Sequence, residues 1–331
     1  MAETIIDITD LQKTYHIPVR RHGLVSSLKS LVKPIYNDIK AVEQISFQIK
    51  QGEIVGFIGP NGAGKTTTLK MLAGLLYPTS GNVKVSGFTP HHRNTEYLKT
   101  ISMVMGNKSQ LNPSITVADS FYITKEIYHI SDVDYKNRLD ELVQLLEIEE
   151  LLPKLARNLS LGERAKCEFA CALLYQPKVL FLDEPTLGMD VSVQIRLRNF
   201  IKEYNQKYGT TILITSHYMA DISSLCSRVI LINKGQLMYD GALDTLSSKL
   251  SPFKLIKVTS GHDSINIDNT MEPYASIIEQ SGLTYTIRVN KEKVLELTDH
   301  LLSSHNINDL SIENPSIEAV IDQVYQGGLG V

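Results

Sequence analysis

Residues 54–66 read Ile54-Val55-Gly56-Phe57-Ile58-Gly59-Pro60-Asn61-Gly62-Ala63-Gly64-Lys65-Thr66, and this stretch decides the fold. A short apolar, β-prone run passes into the full pattern G-x-x-x-x-G-K-[ST], with a helix expected from Lys65 to Gly74. Glycines in such a loop let backbone N–H groups converge on phosphate oxygens, and the helix that follows points its positive end at the same anion. Gly59, Asn61, Gly62, Ala63, Gly64, Lys65, Thr66 and Thr67 are therefore the candidate nucleotide-binding residues. Lys65 is placed to reach the β- and γ-phosphates, and the Thr66 hydroxyl to ligate Mg2+. A plain glycine turn is the bland alternative, and the complete pattern between a strand and a helix outweighs it.

Three further runs, Val179–Leu182, Ile212–Thr215 and Val229–Ile232, are continuously apolar. That is the pattern of strands buried on both faces in a parallel sheet under helices, so the fold class is α/β. Val179–Leu182 ends in Asp183-Glu184. A carboxylate at the C-terminal end of a parallel strand faces the crevice where ligands bind. Asp183 is placed to hold Mg2+, and Glu184 to polarise the attacking water. Two acids after an apolar strand are also a common strand terminus, but the phosphate loop upstream favours the functional reading. Between Thr116 and Leu155 the periodicity is helical, and Lys234-Gly235 reads as a hairpin turn.

Asn158-Leu159-Ser160-Leu161-Gly162-Glu163-Arg164 places Ser160 and Glu163 at capping-box spacing before an apolar helix. The same stretch resembles the signature sequence of the ATP-binding cassette (ABC) ATPases. The match runs over about residues 4 to 245, with its motifs in the family's order. It implies a P-loop NTPase core in a domain over 1–248, with a helical subdomain over about 108–172. It also implies a head-to-tail dimer holding two ATP, with Ser160 and Gly162 of one subunit facing the γ-phosphate held by the other. Tyr15 matches the residue that stacks on adenine. Asp190, in Leu187-Gly188-Met189-Asp190, matches the loop joining the two sites. His217 matches the histidine at the γ-phosphate, and Glu184, His217 and Lys65 are the catalytic candidates.

Two departures stand out. Leu161 and Glu163 replace the more usual glycine and glutamine of the signature. Asn107 stands where similar members have a glutamine that reaches Mg2+ and the water. It offers the same amide on a shorter arm, and Gln110 is the substitute if the loop shifts. Ribosome-acting members of the family usually carry two cassettes, and DNA-repair members have long insertions before the signature. Here there is one cassette, and only 95 residues separate Lys65 from Ser160. No nucleic-acid partner is expected.

The 331 residues carry 33 Lys/Arg and 36 Asp/Glu, a net charge of −3. That figure hides a split. Residues 251–331 hold five basic against eleven acidic residues, leaving 28 against 25 in the rest. The acidic portion, with strand- and helix-like segments of its own, is expected to form a small C-terminal α/β accessory domain. In it a helix is expected between Pro273 and Gly282, and another is capped by Asn314 with Pro315 first. Residues 19–40 are a basic insertion (Arg20, Arg21, Lys29, Lys33, Lys40) with Leu24, Leu28, Leu31 and Val32 on one helical face. It is either a surface helix or a segment against anionic lipid or a permease.

No run approaches the roughly 18 apolar residues of a spanning helix, and the acidic N-terminus does not resemble a signal peptide. Three cysteines are too few for a disulfide framework. The insertion and the signature variant are similar to ATPases serving ABC-2-type permeases. That resemblance implies a separate transmembrane permease, a homodimeric or paralogous ATPase partner, and a position on the cytoplasmic face of the membrane.

Overall fold

The computed structural model describes residues 3–18, 36–106, 108–249, 253–261, 265, 273–315, 317 and 319–321. The chain divides into two compact units, Met1–Asp240 and Gly241–Val331.

In the first unit β1 (Thr4–Pro18) and β2 (Tyr36–Lys50) form a long antiparallel hairpin, and β4 (Ser80–Val85) pairs with the other edge of β1. Ile45, Phe47 and Ile49 of β2 are buried while Ser46, Gln48 and Lys50 are exposed, the period-two pattern of a sheet with one face in the core. Pairing continues to the far end, where Ile39 lies opposite Tyr15 and Tyr36 opposite Pro18. Residues 36–40 of the expected insertion are thus part of this strand. The remainder, with Arg20, Arg21, Leu24, Leu28, Lys29, Leu31, Val32 and Lys33, lies outside the described residues.

A six-stranded sheet has the order β5 (Ile101–Met105), β6 (Val179–Asp183), β7 (Thr211–Thr215), β3 (Ile54–Ile58), β8 (Arg228–Asn233) and β9 (Gln236–Ala242). The first five strands are parallel. Every residue of β6 and β7 is buried, which is why Val179–Leu182 and Ile212–Ile214 are continuously apolar rather than alternating. Lys234 and Gly235 both have positive φ, 49° and 80°, as a two-residue hairpin turn requires. One core joins the two sheets: Ile6, Ile8, Phe47 and Ile49 pack with Phe57, Leu69, Phe181 and Leu213.

Between β5 and β6 the chain is helical, with helices Val117–Tyr128, Asp132–Leu146 and Leu161–Leu173. Their buried faces are narrow except in the last, where Ala165 and Cys167 to Leu173 are all buried. Cys167 and Cys171 are free thiols. Burial pushes the Cys167 thiol up to about 12, and both cysteines pack on the buried face of this helix.

The second unit holds a four-stranded antiparallel sheet, order β11 (Ala275–Ser281), β12 (Thr284–Asn290), β10 (Phe253–Ser260) and β13 (Ile307–Glu313). Helix Val294–Ser304 packs Leu297 and Leu301 into a core with Ile256, Val258, Tyr285 and Ile287. The helix expected between Pro273 and Gly282 is instead the edge strand β11. Gly282 (φ 61°) begins the turn into β12, whose strand pairs back along it, Ser281 with Thr284 and Ala275 with Val289. Asn314, expected as a helix cap, accepts a hydrogen bond from Lys254 Nζ at 2.7 Å.

Candidate active site

The C-terminal ends of four neighbouring strands, β5, β6, β7 and β3, converge on one edge of the parallel sheet, where ligands of open α/β sheets bind. From β3 the phosphate loop leaves at Gly59. Its tip, Asn61 and Gly62, is exposed, Ala63, Gly64 and Lys65 are buried, and Thr66 and Thr67 are half-buried. Gly64 has φ 106°, and a Cβ there would lie 2.4 Å from the carbonyl oxygen of Ala41. Only glycine lets the loop pass this close to β2. Helix Lys65–Leu72 follows, its first closed turn marked by Thr68 N–H donating to Gly64 O at 2.9 Å.

Lys65 folds back into its own loop. Its Nζ donates to Gly59 O at 2.6 Å and to Pro60 O at 3.2 Å. Burial holds its pKa below the usual lysine value, while the nearby Glu184 and Asp183 carboxylates oppose that shift.

Asp183 is fixed by strand register opposite Thr215 on one side and Met105 on the other. Its Oδ2 accepts from Thr66 Oγ1 and its Oδ1 from Thr215 Oγ1, both at 2.8 Å. The carboxylate of one strand thereby meets the hydroxyl that follows the loop lysine.

Glu184 has φ 53°, a left-handed backbone that is uncommon outside glycine and costs energy to hold. Two neighbours fix it. Its N–H donates both to Thr215 O (3.1 Å) and to Thr215 Oγ1 (3.0 Å), and Gly106 leaves room for its carbonyl, since a Cβ at 106 would stand 2.2 Å from that oxygen. The side chain is turned toward β7, with Oε1 2.8 Å from His217 Nε2.

The signature region is built by capping. Ser160 is the N-cap of helix Leu161–Leu173. Glu163 N–H donates to Ser160 Oγ (3.3 Å), and Ser160 N–H donates to Glu163 Oε2 (2.8 Å). The glutamate that departs from the usual signature thus completes the box and also pairs with Lys154 at 3.0 Å. Ser160→Ala is expected to lower the stability of the nucleotide-free protein by about 1 kcal/mol. The Ser160 N–H, ahead of Lys154, holds the Glu163 carboxyl below the usual carboxylate range. A lowered folded pKa stabilises above the unfolded value and is lost as pH falls through the folded one. The Tm difference between wild type and Glu163→Gln, which removes the ionisable carboxylate, should therefore be full at neutral pH and shrink on acidification; a pH-independent difference would refute this.

Ser160, Leu161, Gly162, Met189 and Asp190 line a single recess, and no residue of the phosphate loop lines it. Asp190 is exposed and starts helix Val191–Tyr208. Tyr15 is half-buried on β1, with the Lys13 ammonium 5.3 Å from its ring centre. One protomer therefore gathers Lys65, Thr66, Asp183, Glu184 and His217, and presents Ser160, Gly162 and Asp190 elsewhere. Asn107 lies outside the described residues. The amide of Gln110 donates to the carbonyl of Met103 on β5, so this side chain is engaged within its own segment.

The family profile described as ABC transporter matches residues 42–187, and that of the EvrA-like ABC transporter C-terminal domain matches residues 252–313. The ABC transporter ATP-binding protein NatA of Bacillus subtilis (strain 168) is 34% identical over 208 residues, covering 63% of this chain and 84% of NatA. This chain belongs to the ABC transporter ATP-binding proteins. As an ABC ATPase, it couples ATP hydrolysis to transport. It is also similar to the bacitracin transport ATP-binding protein BcrA of Bacillus licheniformis, at 29% identity over 85% of this chain and 87% of BcrA. A solved structure described as the ATP-binding subunit of an ABC transporter shares the fold with a TM-score of 0.62 and 24% identity, covering 74% of this chain and 92% of that one.

Three residues of the ABC ATPase's site were not singled out from sequence. Thr215 shares Asp183 with Thr66, Gly106 accommodates Glu184, and Ser216 precedes His217. The signal for Thr215 is a hydroxyl closing the apolar run Ile212–Thr215. Gly106 acts through backbone proximity and Ser216 through hydroxyl contacts with Asp221 and Tyr218, and neither carried a local signal.

Proposed function

We propose that this ABC ATPase hydrolyses Mg·ATP with Glu184 as the group that polarises water and accepts its proton. Lys65 and the loop N–H groups bind the phosphates, and His217 orients Glu184 and contacts the γ-phosphate. The observation that supports the reading is the chain of contacts from Thr66 through Asp183 to Thr215 and from there to Glu184 and His217. Thr66 and Asp183 would hold Mg2+. A hydroxyl beside a carboxylate is a hard-oxygen pair of the kind Mg2+ accepts when substrate phosphates and water complete its shell. The ion supplies neutralisation of phosphate charge. Tyr15 stacks on adenine, and Asn107 and Gln110 belong to the segment that reports to a membrane subunit.

The separation of the Ser160–Gly162 recess from the phosphate loop supports a head-to-tail dimer, in which each site is completed by the other subunit's Ser160, Gly162 and Asp190. Among the described residues no helix is long and apolar enough to cross a membrane. The similarity to the bacitracin transport ATP-binding protein BcrA supports a separate permease of the ABC-2 type, working in export at the inner face of the membrane. Cargo is then chosen by the permease. Recovery of the tagged full-length chain from detergent-solubilised membranes should bring down a polytopic membrane protein together with two ATPase copies. Recovery alone, or with ribosomes, would overturn this assignment.

A further inference from the structure

Asp221 lies at the start of helix Met219–Leu225 and is fully buried, at 0% exposure. A carboxylate is expensive to bury unless its oxygens find donors. Here the donors come from two different loops. Asp221 Oδ2 accepts from Thr186 Oγ1 at 2.6 Å and from Ser216 Oγ at 2.7 Å. Oδ1 takes no hydrogen bond and lies 3.5 Å from Arg198 Nη1 on helix Val191–Tyr208. Thr186 stands two residues after Glu184, on the loop leaving β6. Ser216 stands one residue before His217, on the loop leaving β7.

The Ser216 hydroxyl also accepts the N–H of Tyr218 at 3.0 Å, so it spans His217 from behind while giving its own proton to Asp221. On the other loop, Gln194 Nε2 donates to Thr186 O (3.4 Å) and Met189 O (3.1 Å), tying the stretch toward Asp190 to the same cluster. A single oxygen therefore joins the loop that carries the water-polarising glutamate to the loop that carries its histidine partner. The 2.8 Å Glu184–His217 contact is the gap this tie spans.

We infer that Asp221 is a positioning residue for ATP hydrolysis: it fixes the His217 loop against the Glu184 loop so that the two side chains meet in one geometry. It touches neither nucleotide nor water. The inference rests on the proposed roles of Glu184 and His217. A displacement of about an ångström at a reacting group is enough to lower turnover strongly, while phosphate binding by the distant loop amides is left in place.

The test uses the full-length chain, with steady-state ATPase rates and folded fraction measured on the same preparations. Asp221→Asn is expected to lower kcat by about tenfold or more, with the KM for ATP within about threefold of wild type. Ser216→Ala, which removes one of the two donors and leaves the carboxylate with Thr186 and Arg198, should lower kcat in the same direction and keeps the question answerable if Asp221→Asn does not fold. In a His217→Ala background, Asp221→Asn or Ser216→Ala should add less than about a twofold further loss, because the tie has nothing left to position. A purely structural role predicts lower Tm with kcat per folded molecule unchanged, or losses that multiply in the His217→Ala background; either result overturns the inference while the site assignment stands. Glu184→Gln and His217→Ala are run alongside, and if both turn over at the wild-type rate, the site assignment itself falls and the inference falls with it.

Discussion

Glu184→Gln is expected to lower ATP turnover by at least about 100-fold while leaving ATP binding within a few-fold of wild type. The substitution keeps the shape of the side chain and a hydrogen bond to His217 Nε2, now 2.8 Å from a carboxylate oxygen. What it removes is the capacity to take up a proton from water. Glutamine also tolerates the backbone at 184 no worse than glutamate does, so the φ of 53° and the Thr215 hydrogen bonds should persist. Proton uptake is demanded only as the bond to the γ-phosphate breaks, and such a loss appears in kcat rather than in affinity. Bound ATP that is not hydrolysed should then hold two chains together. Single-turnover phosphate release gives the rate, and size-exclusion chromatography with ATP should show a dimer peak that wild type shows only transiently. Near-normal release would remove Glu184 from its assigned role.

Lys65→Met should reduce ATP affinity by about 100-fold or more. Methionine keeps most of the lysine stem, so the packing of the buried side chain is largely conserved, and the change isolates the ammonium group. Each charge-assisted hydrogen bond to a phosphate oxygen contributes on the order of 1.5–3 kcal/mol, and two of them amount to about 10²- to 10⁴-fold in Kd. In wild type the ammonium already bonds to Gly59 O and Pro60 O, so it exchanges partners on binding and only the difference is available, which places the expectation at the lower end. ATP at a concentration of 100 Kd stabilises a binding protein by about 2.7 kcal/mol. Thermal denaturation with and without ATP should therefore show a clear rise in Tm for wild type and almost none for Lys65→Met. An undiminished shift would mean that the phosphates are held elsewhere.

Much of the engine is legible in the chain because its parts are contiguous. The phosphate loop needs its glycines, Lys65 and Thr66 in one stretch, and β6 and β7 are buried on both faces, so Val179–Leu182 and Ile212–Ile214 within them are apolar without interruption. The resemblance to the ABC family then orders parts that are far apart in sequence. What remained hidden depends on contacts between segments. Nothing local marks Glu184 as left-handed; that follows from Thr215 on β7 and Gly106 just after β5. Asp221 reads as an ordinary acid in a short helix, and its burial exists only because Thr186 and Ser216 approach it.

The strand β11 was read as a helix for a related reason. Ile277 and Ile278 are adjacent and both exposed, so no alternation signals a strand. A register shift falls between Ile277 and Glu279, and a shifted edge strand has little periodicity to detect. The glycine of the turn at Gly282 was the one usable signal, and it suits a helix end as well as a hairpin.

The ribbon formed by β1 and β2 has a consequence for how such a protein can diversify. Its two strands are paired from Thr4–Lys50 at one end to Pro18–Tyr36 at the other. Burial is concentrated near the first end, with Ile6, Ile8 and Ile49 inside the core, while Ile17, Tyr36 and Ile39 are exposed. Whatever stretch of chain joins Pro18 to Tyr36 therefore starts and finishes at neighbouring points that the ribbon itself already holds together. Lengthening such a connection adds only about 0.6 kcal/mol for each doubling. The ribbon is thus a splice point, where segments of different length can be joined to two ends that strand pairing already holds in register.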